Sequence, residues 1–211
     1  MKAAPPALRV VVDRVGKQYG PRRVLHNLAA ELGPGEVLLV TGRNGSGKST
    51  LLRLLAGLQR PSTGTLRYEA DGVAFAPSRA QHLLGLVGAD VQLYRELTAA
   101  EHLHFIAQLR GLPLTAAGCA QCLAEVGLVG RGGERVAGFS SGMLQRLRYA
   151  LALLHCPPVL LLDEPTTNLD AAGIALVDDI VARQRNAGIV IIATNEQRDL
   201  RYGDLVLTLD G

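Results

Sequence analysis

Apolar residues fall into short runs broken by Gly and Pro, and the spacing inside each run changes along the chain. Between Ala7 and Thr41, "LRVVVDRV", "LAAEL" and "EVLLV" alternate with the turn signals "YGPRR" and "GPGE", which predicts strands and hairpins. The last of these, "EVLLVTG", is apolar on both faces, as a central parallel strand is. Next, "STLLRLLAGL" sets Leu51, Leu52, Leu54, Leu55 and Leu58 on one broad helical face and stops at "QRPSTG". Residues 65–88 predict further short strands, interrupted by a loop at "FAPSRAQH". From Thr98 the period becomes helical and stays so through "AAGCAQCLAEVGL", with Thr98 and Glu101 at capping-box spacing. Beyond it, the helix "SGMLQRLRYALALLH", the strand Val159–Asp163, the helix "AAGIALVDDIVARQRNAG", the strand "IVIIAT" and the strand "DLVLTLD" follow in order. Alternating strands and helices predict an α/β fold: a parallel α/β core, an N-terminal antiparallel β subdomain, and an inserted helical subdomain over residues 98–137.

Composition narrows the partners little. The chain has 211 residues, 48% hydrophobic, enough for one domain with a subdomain. Its 22 basic and 19 acidic residues are spread without a run of like charge, which argues against nucleic acid as a partner. Cys119, Cys122 and Cys156 are odd in number, and "MKAAPPALRVVVDRV" lacks the unbroken apolar stretch of a signal peptide, so a reducing cytosolic setting is expected. The pair in "CAQC" is too small a ligand set for structural zinc and reads as helix packing. No apolar run approaches the roughly 20 residues of a membrane helix.

Chemistry concentrates in two stretches. "GRNGSGKS", Gly42 to Ser49, matches G-x-x-x-x-G-K-[ST] with a strand before it and a helix after it. Glycines at 42, 45 and 47 let consecutive N–H groups of Gly42, Arg43, Asn44, Gly45, Ser46, Gly47, Lys48, Ser49 and Thr50 turn inward around phosphate oxygens, and the helix N-terminus adds a favourable dipole. Lys48 would reach the β and γ phosphates, and the Ser49 hydroxyl would ligand magnesium. In "VLLLDEPTTNLD" an apolar strand ends in two adjacent carboxylates. Asp163 is then placed to orient the magnesium shell, and Glu164 to polarise an attacking water.

Between these stretches lies "FSSGMLQRLRYALAL". It resembles the signature motif of ABC-type ATPases: Ser140 and Gly142 match its Ser and second Gly, while Ser141 and Met143 replace the usual Gly and Gln. With the phosphate loop, the Asp163–Glu164 strand and "TNLD", the resemblance covers essentially the whole chain. It implies an ABC-type P-loop ATPase using ATP and Mg2+. It also implies a dimer, homodimeric on ATP binding, in which Ser140 and Gly142 of one subunit close over the ATP of the other, with Asp170 in the linking loop. Tyr19, in "KQYG", takes the position of the aromatic that stacks on adenine.

Two positions depart from the family. Asn195, in "IIATNEQ", stands where a histidine touches the γ-phosphate, and it can donate a hydrogen bond but carries no charge. Ala89 falls where a glutamine usually stands, with Asp90 and Gln92 close by. ATP binding is therefore expected intact and turnover slow. One cassette and a short gap from Lys48 to Ser140 favour a transporter subunit over the DNA-repair and ribosome-associated branches. The resemblance implies a separate integral-membrane permease docking near Asp90–Thr98 and a peripheral position on the cytoplasmic face of the inner membrane. The compact length resembles the ATPases of cytochrome c maturation (heme export), or of related export-type permeases. A degenerate subunit with vestigial hydrolysis is the other reading.

Overall fold

The computed structural model describes residues 8–88 and 90–209. Strands β1 (Arg9–Tyr19), β2 (Arg22–Leu32), β4 (Thr63–Ala70) and β5 (Val73–Phe75) pair antiparallel in the order β2-β1-β4-β5. Strands β3 (Val37–Gly42), β6 (Leu84–Val87), β7 (Val159–Asp163), β8 (Ile189–Ala193) and β9 (Leu205–Leu209) form a second sheet in the order β6-β7-β8-β3-β9, with every pairing parallel. Helices α1 (Lys48–Leu55), α2 (Pro77–Ala80), α3 (Ala99–Leu109), α4 (Ala116–Glu125), α5 (Ser141–Leu153) and α6 (Ala171–Ala187) complete the molecule.

The parallel strands are apolar throughout because both their faces are covered. Val159 and Leu161 of β7, with Ile189 and Ile191 of β8, point into one cluster that includes Leu51, Leu52, Leu54 and Leu55 of α1 and Tyr68 of β4. Their neighbours Leu160, Leu162, Val190 and Ile192 point into the other, with Leu103 of α3, Leu123 of α4, Leu147 of α5 and Val177 of α6. The period of two along each strand thus separates the antiparallel sheet from the helical layer. Tyr68 also donates its hydroxyl to the Leu55 carbonyl at 2.9 Å, satisfying an end of α1, and burial pushes its phenol well above the ordinary range.

Helix starts follow their caps. Thr98 accepts the Glu101 N–H at 3.2 Å while Glu101 accepts the Thr98 N–H at 2.7 Å, a complete capping box at the head of α3. Thr115, Ser140 and Asp170 cap α4, α5 and α6 with one bond each, their side chains accepting the N–H of Gly118, Met143 and Gly173. Two expectations change. The stretch "FAPSRAQH" is not a loop: α2 and a 3-10 turn over Gln81–Leu83 fill it, with Ala76 extended before Pro77, as proline at the first helical position favours. α1 ends at Leu55 rather than Leu58, since Gly57 turns at φ +69 with its backbone against Pro77, where a Cβ would stand 2.6 Å from a carbonyl.

Candidate nucleotide site

Four parallel strands deliver their carboxyl ends to one edge of the sheet. Register sets Val87 beside Leu162, Asp163 beside Ala193, and Ala193 beside Val40, so the loops after β6, β7, β8 and β3 lie side by side in that order. Gly88 and Asp90, then Asp163 and Glu164, then Thr194 and Asn195, then the loop of Gly42 to Lys48 are thereby brought together. The loops are tied by backbone bonds: Glu164 N–H donates to the Ala193 carbonyl at 2.8 Å and Thr194 N–H to the Val40 carbonyl at 3.0 Å.

The glycine loop packs against the antiparallel sheet. Gly47 sits at φ 106 immediately before α1, and a Cβ there would meet Leu25 and Val24 of β2 at 2.7 and 2.8 Å. Only glycine fits. No side chain caps the first turn of α1, so its amides are open to an anion. Lys48 is buried, and its ammonium donates to the Gly42 carbonyl at 2.9 Å and the Arg43 carbonyl at 3.3 Å, with Glu164 Oε1 3.8 Å away.

The acids carry the marks of a cation site. Asp163 Oδ1 is buried without a hydrogen-bond partner, as is the Ser46 hydroxyl in the loop. Burial raises the Asp163 carboxyl above the usual carboxylate range, opposed by the Ser49 hydroxyl and Lys48. Burial likewise raises Glu164, opposed by the Asn195 N–H and Lys48. A magnesium ion and ATP phosphates fit this donor set: the Ser49 hydroxyl lies by the Asp163 carboxylate, which keeps one oxygen unpartnered, and uncapped amides and an ammonium line the loop beside it. Glu164 stands at φ 50, a strained conformation for a side-chain residue and one that marks functional turns.

Asn195 is held at both ends. Its side-chain amide donates to Asn44 Oδ1 at 2.8 Å and its backbone N–H points to Glu164 Oε2 at 3.4 Å. Asp199, which the sequence reading passed over, positions this corner: its two oxygens accept from Thr166 at 3.0 Å and Thr194 at 2.7 Å, clamping the loops after β7 and β8. No local motif marks Asp199, because one of its two partners, Thr166, lies on the loop after β7, 33 residues away.

Tyr19 closes β1 and is 43% exposed, which places it outside the core. Its hydroxyl bonds the Gln59 side chain, and the Lys17 ammonium lies 5.0 Å from the ring centroid. Ser140, Gly142 and Asp170 form a separate cluster. Ser140 accepts the Met143 N–H at 3.3 Å, Gly142 packs on the Asn168 carbonyl, and Arg146 joins Asp170 at 3.1 Å. Among the described residues no hydrogen bond joins this cluster to the Lys48 site. Ala89 lies outside the described residues. Asp90 is paired with Arg53, and Gln92 lines a groove between the sheet and α3.

A phosphate loop with an acid-ended neighbouring strand, on a parallel sheet flanked by a helical layer and an antiparallel sheet, defines a P-loop nucleotide hydrolase of cassette type. The ABC transporter family model matches residues 25–167, and the chain belongs to that family, as an ATP-hydrolysing, ATP-binding subunit of an ABC transporter. It is 36% identical over 192 residues to the cytochrome c biogenesis ATP-binding export protein CcmA of Agrobacterium fabrum, covering 89% of this chain and 89% of that protein. It is 45% identical over 165 residues to the aliphatic sulfonates import ATP-binding protein SsuB of Cupriavidus necator, 76% of this chain, but spans only 51% of that protein's length. Among solved structures, one described as the ATP binding subunit of an ABC transporter superposes with a TM-score of 0.83 at 28% identity, covering 95% of this chain and 85% of that one.

Proposed function

We propose that this chain hydrolyses ATP with magnesium as one half of a homodimeric motor that drives a separate membrane permease of the heme-export or cytochrome c biogenesis kind. The observation that carries the reading is the convergence of Lys48, Asp163 and Glu164 at one sheet edge, with Asp163 Oδ1 buried and unpartnered. Magnesium, when bound, would supply charge neutralisation and polarisation of the phosphates. The chain's residues do the rest. Loop amides and Lys48 hold the phosphates, Ser49 and Asp163 hold the metal, and Glu164 orients and deprotonates water. Asn195, steadied by Asn44, donates one amide hydrogen toward the γ-phosphate position and stores no proton, so turnover is slow. Tyr19 stacks on the base. Ser140, Gly142 and Asp170 act on the partner subunit's nucleotide.

The permease reading is supported by a groove of about 340 Å³ lined by Leu84, Leu86, Val91, Tyr94, Phe105 and Ile106, where Tyr94 and Phe105 remain exposed. It begins at the segment 90–98 expected to receive a permease helix. No helix among the described residues is long and apolar enough to cross a membrane, which fits a peripheral subunit on the cytoplasmic face. Similarity to CcmA over 89% of both chains supports the heme-export branch over sulfonate import, where only part of the relative is matched. The Asn195–Asn44 bond favours a second reading, a subunit whose hydrolysis is vestigial and which pairs with a different, active ATPase.

The test is magnesium-dependent ATPase activity of the purified chain against protein concentration, beside Glu164→Gln and Asn195→His. Activity rising steeply with concentration, faster in Asn195→His and at least about a hundredfold lower in Glu164→Gln with ATP binding kept, is expected. ATP binding with no turnover in the parent or in Asn195→His would replace this reading by the second.

A further inference from the structure

An ion pair between Arg53 and Asp90 lies at the same end of the sheet as Ser49 and Asp163. Arg53 stands one turn after Ser49 on the same face of α1. Its guanidinium clamps Asp90 through two bonds, Nε to Oδ2 at 2.7 Å and Nη2 to Oδ1 at 2.9 Å. Asp90 itself is carried close to Asp163 by the sheet. Val87 pairs with Leu162, so Gly88 abuts Asp163 so closely that a Cβ on it would stand 2.9 Å from the Asp163 Cβ. Two carboxylates thus share one end of the sheet, and Asp90 is the one already in an ion pair. Burial, with a further contribution from Asp90, raises the Asp163 carboxyl, while the Arg53 guanidinium holds Asp90 below the ordinary carboxylate range.

We propose that Arg53 is a positioning residue for the metal site, holding the Asp90 carboxylate away from Ser49 and Asp163 until a divalent cation there draws it over. The inference rests on the reading that Ser49 and Asp163 hold the metal. The pair suits such an exchange. Both side chains are 38% exposed, so solvent screens their attraction, whereas a divalent ion bound to hard oxygen ligands competes strongly for a further carboxylate. The loop is anchored one residue on, where Arg148 Nε donates to the Val91 carbonyl at 3.1 Å, so Asp90 can turn without the groove-lining residues beyond it being displaced.

The experiment titrates the full chain, saturated with a non-hydrolysable ATP analogue, with Mn2+ and follows the free-ion electron paramagnetic resonance signal. Arg53→Gln frees Asp90 and should bind Mn2+ about tenfold more tightly than the parent. Adding Asp90→Asn to that variant should remove the gain, and Asp90→Asn alone, which leaves an unpaired guanidinium by the metal, should bind more weakly. Arg53→Lys keeps the charge and should stay near the parent, which keeps the test usable if the glutamine variant folds poorly. Affinity of Arg53→Gln within about twofold of the parent would overturn the proposal. So would a double variant as tight as Arg53→Gln, since the gain would then come from charge removal and not from Asp90. Asp163→Asn separates the two levels: it should hold Mn2+ at least about tenfold more weakly than the parent, and an affinity within about twofold of the parent would mean that Asp163 is not a ligand, so that the site reading fails independently of Arg53.

Discussion

Lys48 is a cation at 6% exposure, and a buried ammonium persists only with partners. Two loop carbonyls and the Glu164 carboxylate supply them, and phosphate oxygens can take over the same hydrogens. His155 is the opposite case. Both its ring nitrogens are buried without partners, and burial together with the nearby Arg110 lowers its pKa from 6.5 to about 4. The native state therefore keeps it neutral where the unfolded chain takes up a proton. Its contribution to stability is complete above pH 6.5 and is lost as pH falls from 6.5 toward about 4. In His155→Phe the fall in urea-unfolding free energy over that window should be shallower than in the parent. A slope unchanged in the variant would show that His155 does not titrate on unfolding. Residue identity made Gly42 to Thr50 and Asp163–Glu164 legible from sequence, because their spacing is local. Asp199 and Arg53 were not legible, because each acquires meaning from a partner on another loop.

At the scale of elements, α5 combines a structural and a chemical demand on one atom. Ser140 caps the helix through its hydroxyl, and on the proposed function the same hydroxyl faces the partner subunit's nucleotide. The two roles separate by substitution. Ser140→Ala should lose about 1 kcal/mol of stability and also lower activity. Ser140→Asp should retain the thermal midpoint, since aspartate caps as well as serine, but abolish hydrolysis by repelling the γ-phosphate of the partner site. Loss of stability in both variants, with activity tracking it, would leave Ser140 a cap alone. Element identity was readable wherever one period persisted: β3, β7, β8, α3 and α6 form where predicted. It failed at "FAPSRAQH", where a four-residue helix is too short to show a period and Pro77 reads equally as turn or helix start.

At the scale of the whole molecule, the proposed head-to-tail dimer needs a second chain to complete each site, the phosphate loop coming from one subunit and the signature cluster from the other. A Lys48→Ala chain and a Ser140→Asp chain, each inactive alone, should complement when mixed, because the mixed dimer pairs one intact loop with one intact signature. Random pairing of equal amounts should restore about a quarter of the parent sites. No recovery at any mixing ratio would argue against head-to-tail assembly. The sequence by itself determined the covalent order of the chemistry: a phosphate loop after a buried strand, paired acids after another, a capped signature helix between. Those signals survive without a fold because local spacing and intrinsic backbone preference carry them. Only the tertiary structure decided which ends meet. The order β6-β7-β8-β3 places Gly88 against Asp163, and Asn195 against Asn44, contacts across stretches of chain that no local pattern encodes. Strand order follows from burying both faces of a parallel sheet at once, a condition on the whole chain rather than on any one segment.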